Sequence, residues 1–233
     1  MAKKLSKRAR ANAALVPAEP LPPADAIAAL KKFKGPKFDQ TVNIVFHLGI
    51  DPTKADQSLR GAVALPKGIG VTKKVIAFCR EDVAKEAKAA GAVEAGGEEL
   101  VAKIEGGWMD FDVAIASPDM MRVVSKLGKV LGPKGLMPSP KAGTVTTQVP
   151  EAVKEYAAGK VEYRADKSGN IHAVIGKMSF PDENLVANLE YFIRAIERAR
   201  PSTVKGQYIK KITVSGAMTP GVQVKHVAAA VEE

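Results

Sequence analysis

Between Lys73 and Ala158, short apolar runs alternate with amphipathic stretches of about ten residues, and this alternation constrains the fold more than any other feature. Lys73–Phe78 (KKVIAF) reads as a continuous buried strand and Glu81–Ala90 as a helix stopped by Gly91. Val93–Ala95 follows as a short strand, Glu98–Ile104 as a helix, and Phe111–Ala116 (FDVAIA) as a second buried strand. Ser117, Pro118 and Asp119 supply a cap hydroxyl, a first-turn proline and a first-turn acid for a helix reaching Val130. Pro150–Ala158 makes a further helix, ended by Gly159. Such alternation builds a parallel α/β unit.

The flanking segments follow a different rule. Thr41–Leu48 reads as a strand with Val42, Ile44, Phe46 and Leu48 on one face, which turns His47 to the other. Lys160–Arg164 and Ile171–Ile175 are joined by Asp166–Asn170, which has the chemistry of a hairpin turn. Tyr208–Val214 is the last strand, followed by the small-residue run Ser215–Gly221. Asp25–Phe33 reads as a helix stopped by Gly35 and Pro36, and Glu183–Ala199 as an amphipathic helix capped by Asp182. Glycine and proline punctuation from Gly61 to Gly70 separates the two patterns. The expected fold class is therefore mixed α/β and α+β. A split α+β domain (residues 24–67 and 160–233) carries an antiparallel sheet with helices, an α/β domain (68–159) is inserted in it, and residues 1–23 form a basic, Pro-ending arm.

Charge sharpens this division. Residues 1–67 hold 12 lysines and arginines against 5 acids, residues 68–159 hold 12 of each, and residues 160–233 hold 11 against 8. The excess of the +10 chain thus sits in the outer segments, the footprint of a polyanion binder, although solubility alone also selects for net charge. Met1–Arg10 (MAKKLSKRAR) is either a solvated tail or an arm that orders on RNA. Residues 1–18 are basic and acid-free, as a mitochondrial transit peptide is, but Pro17, Pro20, Pro22 and Pro23 cut the helix such a peptide needs. No run of about 18 apolar residues suggests a membrane span. Lys37 and Phe38 place a cation and an aromatic at the start of the first strand, where the ring can stack on a nucleotide or pad the edge of a core.

Little points to catalysis. One cysteine, Cys79, leaves no internal disulfide or cysteine zinc site and suits a reducing cytosol, and three dispersed histidines offer no triad. No metal or cofactor is expected. The stretch Ser117–Val149 ends in a Gly/Pro loop with Lys134 and Lys141, which can cradle a phosphate, bind a nucleic acid backbone or only hold a turn. It is not a Walker A loop, because the spacing is one residue short and no Lys-Ser/Thr pair follows. A phosphate-ligand enzyme using Lys134, or a DNA-binding architectural protein, remains as an alternative.

SPDMMRVVSKLGKVLGPKGLMPSPKAGTV resembles the signature of the large-subunit ribosomal protein L1 family, and KFDQTVNIVFHLGIDPTKADQSLRGAVALPKGIG, DKSGNIHAVIGKMSF and YIKKITV resemble the same family in the same order. The resemblance covers roughly Asp25 to Gly221, at the bacterial length. It implies a split RNA-binding domain with a Rossmann-like three-layer insertion, and a non-enzymatic, cytoplasmic, ribosome-bound protein that is a monomer when free. The implied partners are 23S rRNA at the mobile stalk, exit-site tRNA whose release it assists, and the mRNA of its own operon, which it represses; no membrane is involved. By motif match, the rRNA and mRNA contacts are Lys37, Phe38, Thr41, Asp166, Lys167, Ser168, Gly169, Lys211, Ser215, Met218 and Thr219, with Lys134 and Lys141 as a secondary RNA or tRNA contact. Two departures stand out. Ala217-Met218-Thr219 replaces the family's usual Thr-Met-Gly, and Gln40 replaces a common acid.

Overall fold

A computed structural model describes residues 6–226. The chain begins with helices α1 (Lys7–Ala13) and α2 (Pro23–Lys31), then strands β1 (Thr41–Leu48) and β2 (Arg60–Ala64). Next come β3 (Val75–Phe78), α3 (Glu81–Ala89), β4 (Glu94–Gly96), α4 (Glu98–Glu105) and β5 (Val113–Ala116). Short helices α5 (Met121–Val124) and α6 (Gly128–Lys134) lead to α7 (Val149–Ala157). The last elements are β6 (Lys160–Arg164), β7 (Asn170–Lys177), α8 (Asp182–Arg198), β8 (Ile209–Gly216) and β9 (Val222–Val224). They pack into two compact units. Of the described residues, one comprises 6–59, Leu65–Gly70 and 163–226; the other comprises Arg60–Ala64 and Val71–Glu162.

The first unit is built on an antiparallel sheet of order β7-β1-β8-β9. β1 sits in the middle because its alternation is complete: Val42, Ile44, Phe46 and Leu48 are buried and the residues between them are not. Helices α2 and α8 cover the buried face, α2 with Ile27 and Leu30, α8 with Leu185, Leu189, Phe192 and Ile196. The rings of Phe46 and Phe192 stack at 5.7 Å, which locks α8 to the central strand. Asp182 is the first residue of α8 rather than its cap, and it pairs with Lys31 of α2.

The second unit has a parallel sheet of order β4-β3-β5. Every residue of β3 and β5 is buried, as strands covered on both faces require. Alternate residues of β3 enter opposite clusters. Val75 and Ala77 pack with α3 and α7, and Ile76 and Phe78 with α4, α5 and α6.

The helix expected from Ser117 to Val130 differs in detail. Pro118–Met120 and Ser125–Leu127 are single 3₁₀ turns, and α5 and α6 are the pieces between and beyond them. Ser125 Oγ donates to the carbonyl of Arg122 at 2.7 Å, a back-bond that competes with the helical ladder. Ser117 makes no cap bond; its hydroxyl is buried without a protein partner. α6 instead runs into the expected loop and stops at Gly135, whose φ of +72° closes a Schellman-type end, with Leu136 N–H donating to Leu131 at 3.1 Å.

Candidate nucleic-acid interface

The start of β1 gathers six of the expected contact residues. Lys37 and Phe38 lie on the loop ahead of the strand, and Phe38 is 54% exposed, so it is no core edge. Thr41 opens β1 and accepts from Lys177 Nζ at 2.9 Å. Ser215 pairs across β8 with Asn43 of β1, and Met218, 55% exposed, stands on the turn beyond. Gln40, only 3% exposed, ties this end together. Its side-chain carbonyl accepts the N–H of Met218 at 2.8 Å, while its backbone carbonyl accepts that of Met178 at 2.9 Å. Asp39 accepts from both the N–H and the hydroxyl of Ser179 at 3.1 and 2.8 Å, so its charge is engaged locally. Thr219 Oγ1 accepts the N–H of Gly216 at 2.9 Å; the residue that departs from the family pattern closes its own turn.

The basic arm from Ser6 onward meets this same end; its residues 1–5 lie outside the described residues. α1 is capped by Ser6, whose hydroxyl accepts from Ala9 N–H at 3.2 Å. Asn12, 1% exposed, donates to the carbonyl of Lys34 at 3.0 Å and accepts its N–H at 2.9 Å. A side-chain amide that copies a backbone pair in this way docks the helix. A groove of about 330 Å³ between Arg8, Asn12, Val16, Met218 and Pro220 results.

The remaining expected residues lie at the other end of the sheet. Asp166 organises its turn by accepting from the N–H groups of Ser168 at 2.8 Å and Asn170 at 2.7 Å, and from the Asn170 amide at 3.2 Å. These donors, the Asn170 N–H foremost, hold its carboxyl below the ordinary aspartate value. Asp166 therefore shapes the turn, and Lys167 and Ser168 are what the turn presents to solvent. Gly169 has φ of +78°, and a Cβ there would lie 3.3 Å from the carbonyl oxygens of Leu48 and Ile50. Lys211 pairs with His47, whose Nδ1 lies 2.8 Å from the Asn170 side chain. Six residue steps separate Thr41 from His47, so the two clusters are about 20 Å apart.

Between them runs the face of the sheet that α2 and α8 leave uncovered. It carries Asn43, Val45 and His47 of β1, His172 and Val174 of β7, Thr213 and Ser215 of β8, and Gln223 of β9, none of them buried. None of the four strands contains an aspartate or glutamate. Asn43, His172, Thr213 and Gln223 were absent from the motif-based set, although strand alternation alone puts them on this face. Gln40 and Asn12 have no such signal, since burial of a polar pin depends on tertiary contacts.

Lys134 and Lys141 belong to the second unit and are exposed there. The N–H groups of Gly135, Leu136, Ser139, Ala142, Gly143 and Thr144 all donate within the loop or back to α6, so this loop is not a preformed phosphate cradle. Tyr156 donates to the carbonyl of Ala142 at 2.6 Å and fastens the loop to the core. Arg122 on α5, Lys126 in the 3₁₀ turn after it and Lys129 on α6 are nonetheless all exposed, and no acid lies between Asp119 and Glu151. Among the described residues, no group of three or more His, Cys, Asp and Glu side chains could hold a metal ion, and no helix is long and apolar enough to cross a membrane. Residues 30–220 match the model of the ribosomal protein L1p/L10e family.

Proposed function

The chain belongs to the ribosomal protein L1p/L10e family, structural rRNA-binding components of the large ribosomal subunit, and from this we propose that the first unit grips 23S rRNA at the mobile stalk. One observation carries the reading: a largely polar sheet face about 20 Å long whose four strands contain no acid, with Phe38 and Met218 exposed at one end and Lys167, Ser168 and Lys211 at the other. Short hydroxyl, amide and imidazole groups suit the shallow minor groove of A-form RNA and its 2′-hydroxyls, and an exposed ring and thioether can lie against ribose or an unstacked base. Lys37, Thr41, Ser215 and Thr219 complete the first end, and Asp166 and Gly169 act by holding the second in shape. The outer unit is read as the split domain and the parallel unit as its Rossmann-like insertion.

The same face would take the mRNA of the chain's own operon, since a transcript folded like the rRNA site presents the same backbone, and binding there would repress translation. The exposed Lys134 and Lys141, with the acid-free stretch around them, support a secondary contact to exit-site tRNA, whose release the protein would assist. Cosedimentation with large subunits, followed by footprinting of the bound 23S rRNA, tests the primary reading. Protection confined to the stalk supports it. Equal competition by duplex DNA at fixed salt, or no protection there, overturns it.

A further inference from the structure

Where β1 meets β8 the register slips: His47 pairs with Lys211 and Leu48 with Ile209, so Lys210 is one residue too many. In an unbroken strand Lys210 would alternate towards the face where Ile209 and Ile212 are buried. The bulge turns it outward instead, so that Lys210 and Lys211 are both exposed, and bulges are used in this way to re-aim side chains. β9 adds a third cation. Ile212 pairs with Val224, which places Lys225, one step on, beside Lys211. The three lysines, with Gln207, Gln223 and Pro20, line a notch of about 180 Å³.

This arrangement opposes its own stability. Like charges on facing strand positions repel, and among the described residues none of the three lysines has a carboxylate partner within salt-bridge distance. Glu197, on neighbouring α8, lies instead 3.3 Å from the imidazole of His226, which also lines the notch. A phosphate would supply the missing charge.

We propose that this notch is a phosphodiester-binding subsite, built by the β8 bulge to hold one stretch of RNA backbone with Lys210, Lys211 and Lys225. The inference rests on the rRNA reading and extends it, because it adds a purely electrostatic anchor at the sheet end opposite Phe38 and Met218. Anchors of this kind position a nucleic acid without reading its sequence.

The test is the salt dependence of binding to a 23S rRNA stalk fragment, for the wild type, the double variant Lys210→Gln/Lys225→Gln, and the control Lys85→Gln/Lys154→Gln. The control removes two exposed lysines from α3 and α7 and changes net charge equally. Loss of two phosphate contacts should flatten the log–log salt slope by about 1.4 to 1.8 and weaken binding roughly tenfold near 0.1 M salt, with the control close to wild type. A double variant whose slope matches that of the control overturns the subsite, even if its affinity falls. If the wild type itself does not bind the fragment, the rRNA reading fails instead. The subsite is then judged by titrating a ten-residue oligouridylate and following the amide resonances of residues 209–212 and 223–225; no shift in them overturns it.

Discussion

Replacing Gln40 with leucine separates the pin from the surface it holds. The side chain is 3% exposed, and its carbonyl is the partner of the Met218 N–H at 2.8 Å. The surroundings are close: a Cβ built on Gly216 would lie 3.3 Å from that oxygen, and one on Gly35 only 2.7 Å from the amide nitrogen. Leucine keeps much of the volume and removes the acceptor. The cost is the hydrogen bond plus a partly buried donor left unpaired, about 2–3 kcal/mol, offset by about 1 kcal/mol because a buried amide is replaced by an apolar group. The net loss of about 1–2 kcal/mol lowers the melting temperature by about 3–6 °C for a chain of this size. The turn bearing Met218 loses its register with Phe38, and filter binding to the stalk rRNA should weaken by about tenfold, the equivalent of roughly 1.4 kcal/mol of lost placement. Gln40→Glu restores an acceptor and should recover most of the melting temperature. Met218→Ala removes only an exposed side chain, so its melting curve should stay within about 2 °C of the wild type while affinity falls. A Gln40→Leu protein that melts with the wild type refutes the pin. One that is destabilised yet binds RNA with unchanged affinity removes the Met218 turn from the interface.

Met218→Asp puts a carboxylate where phosphate or ribose is expected and should abolish most rRNA affinity in a filter titration; unchanged affinity excludes the segment. Asn12→Ala deletes both bonds to the Lys34 backbone, so trypsin should cut after Arg8 or Arg10 several-fold faster, whereas an unaltered digestion rate would show that α1 is held by other contacts. Asp166→Ala removes the acceptor that shapes the second turn. Because the folded carboxyl titrates below its unfolded value, its stabilisation is complete above about pH 4 and disappears as pH falls through the lowered folded value. Urea midpoints of wild type and Asp166→Ala should therefore differ at pH 7 and converge in strong acid; a difference that persists there contradicts the role of the charge.

Local patterns carried much of the fold. The alternation of Val42, Ile44, Phe46 and Leu48 sets the buried face of β1, and the unbroken apolar runs of β3 and β5 follow from burial on both sides. The failures were cooperative in origin. Ser117 has the right identity for a cap, yet whether its hydroxyl meets a helical N–H depends on how the chain leaves β5, and here it does not. Gly135 ends a helix rather than opening a ligand loop, a choice decided by Leu131, Leu136 and Met137 packing into one cluster. For the proposed interface, motif matching names Phe38 and Met218, which the structure leaves exposed, while the position of the Met218 turn depends on Gln40, 178 residues before it in sequence.

Charge averaged over long segments also concealed detail. Residues 68–159 are neutral as a block, yet from Met120 to Pro150 there are five cations and no acid, because the carboxylates cluster on α3, α4 and the loops around β5. The same holds inside the basic first unit, where net charge does not reveal that all four strands of the sheet lack acids. Recognition of a folded RNA needs this finer arrangement: modest contacts at fixed spacing outperform one deep pocket, because the phosphates and 2′-hydroxyls of a rigid ligand repeat at fixed distances. β1 provides the ruler. Its buried residues anchor it to α8, its ends set the separation of the Phe38 and Lys211 clusters, and a slip of one residue would turn every polar group of the strip inward. Both breaks in its registers fall near strand ends, against β7 between Val42 and Asn43 and against β8 at Lys210, where the second turns one lysine outward and leaves the pairs from Asn43 to His47 in step.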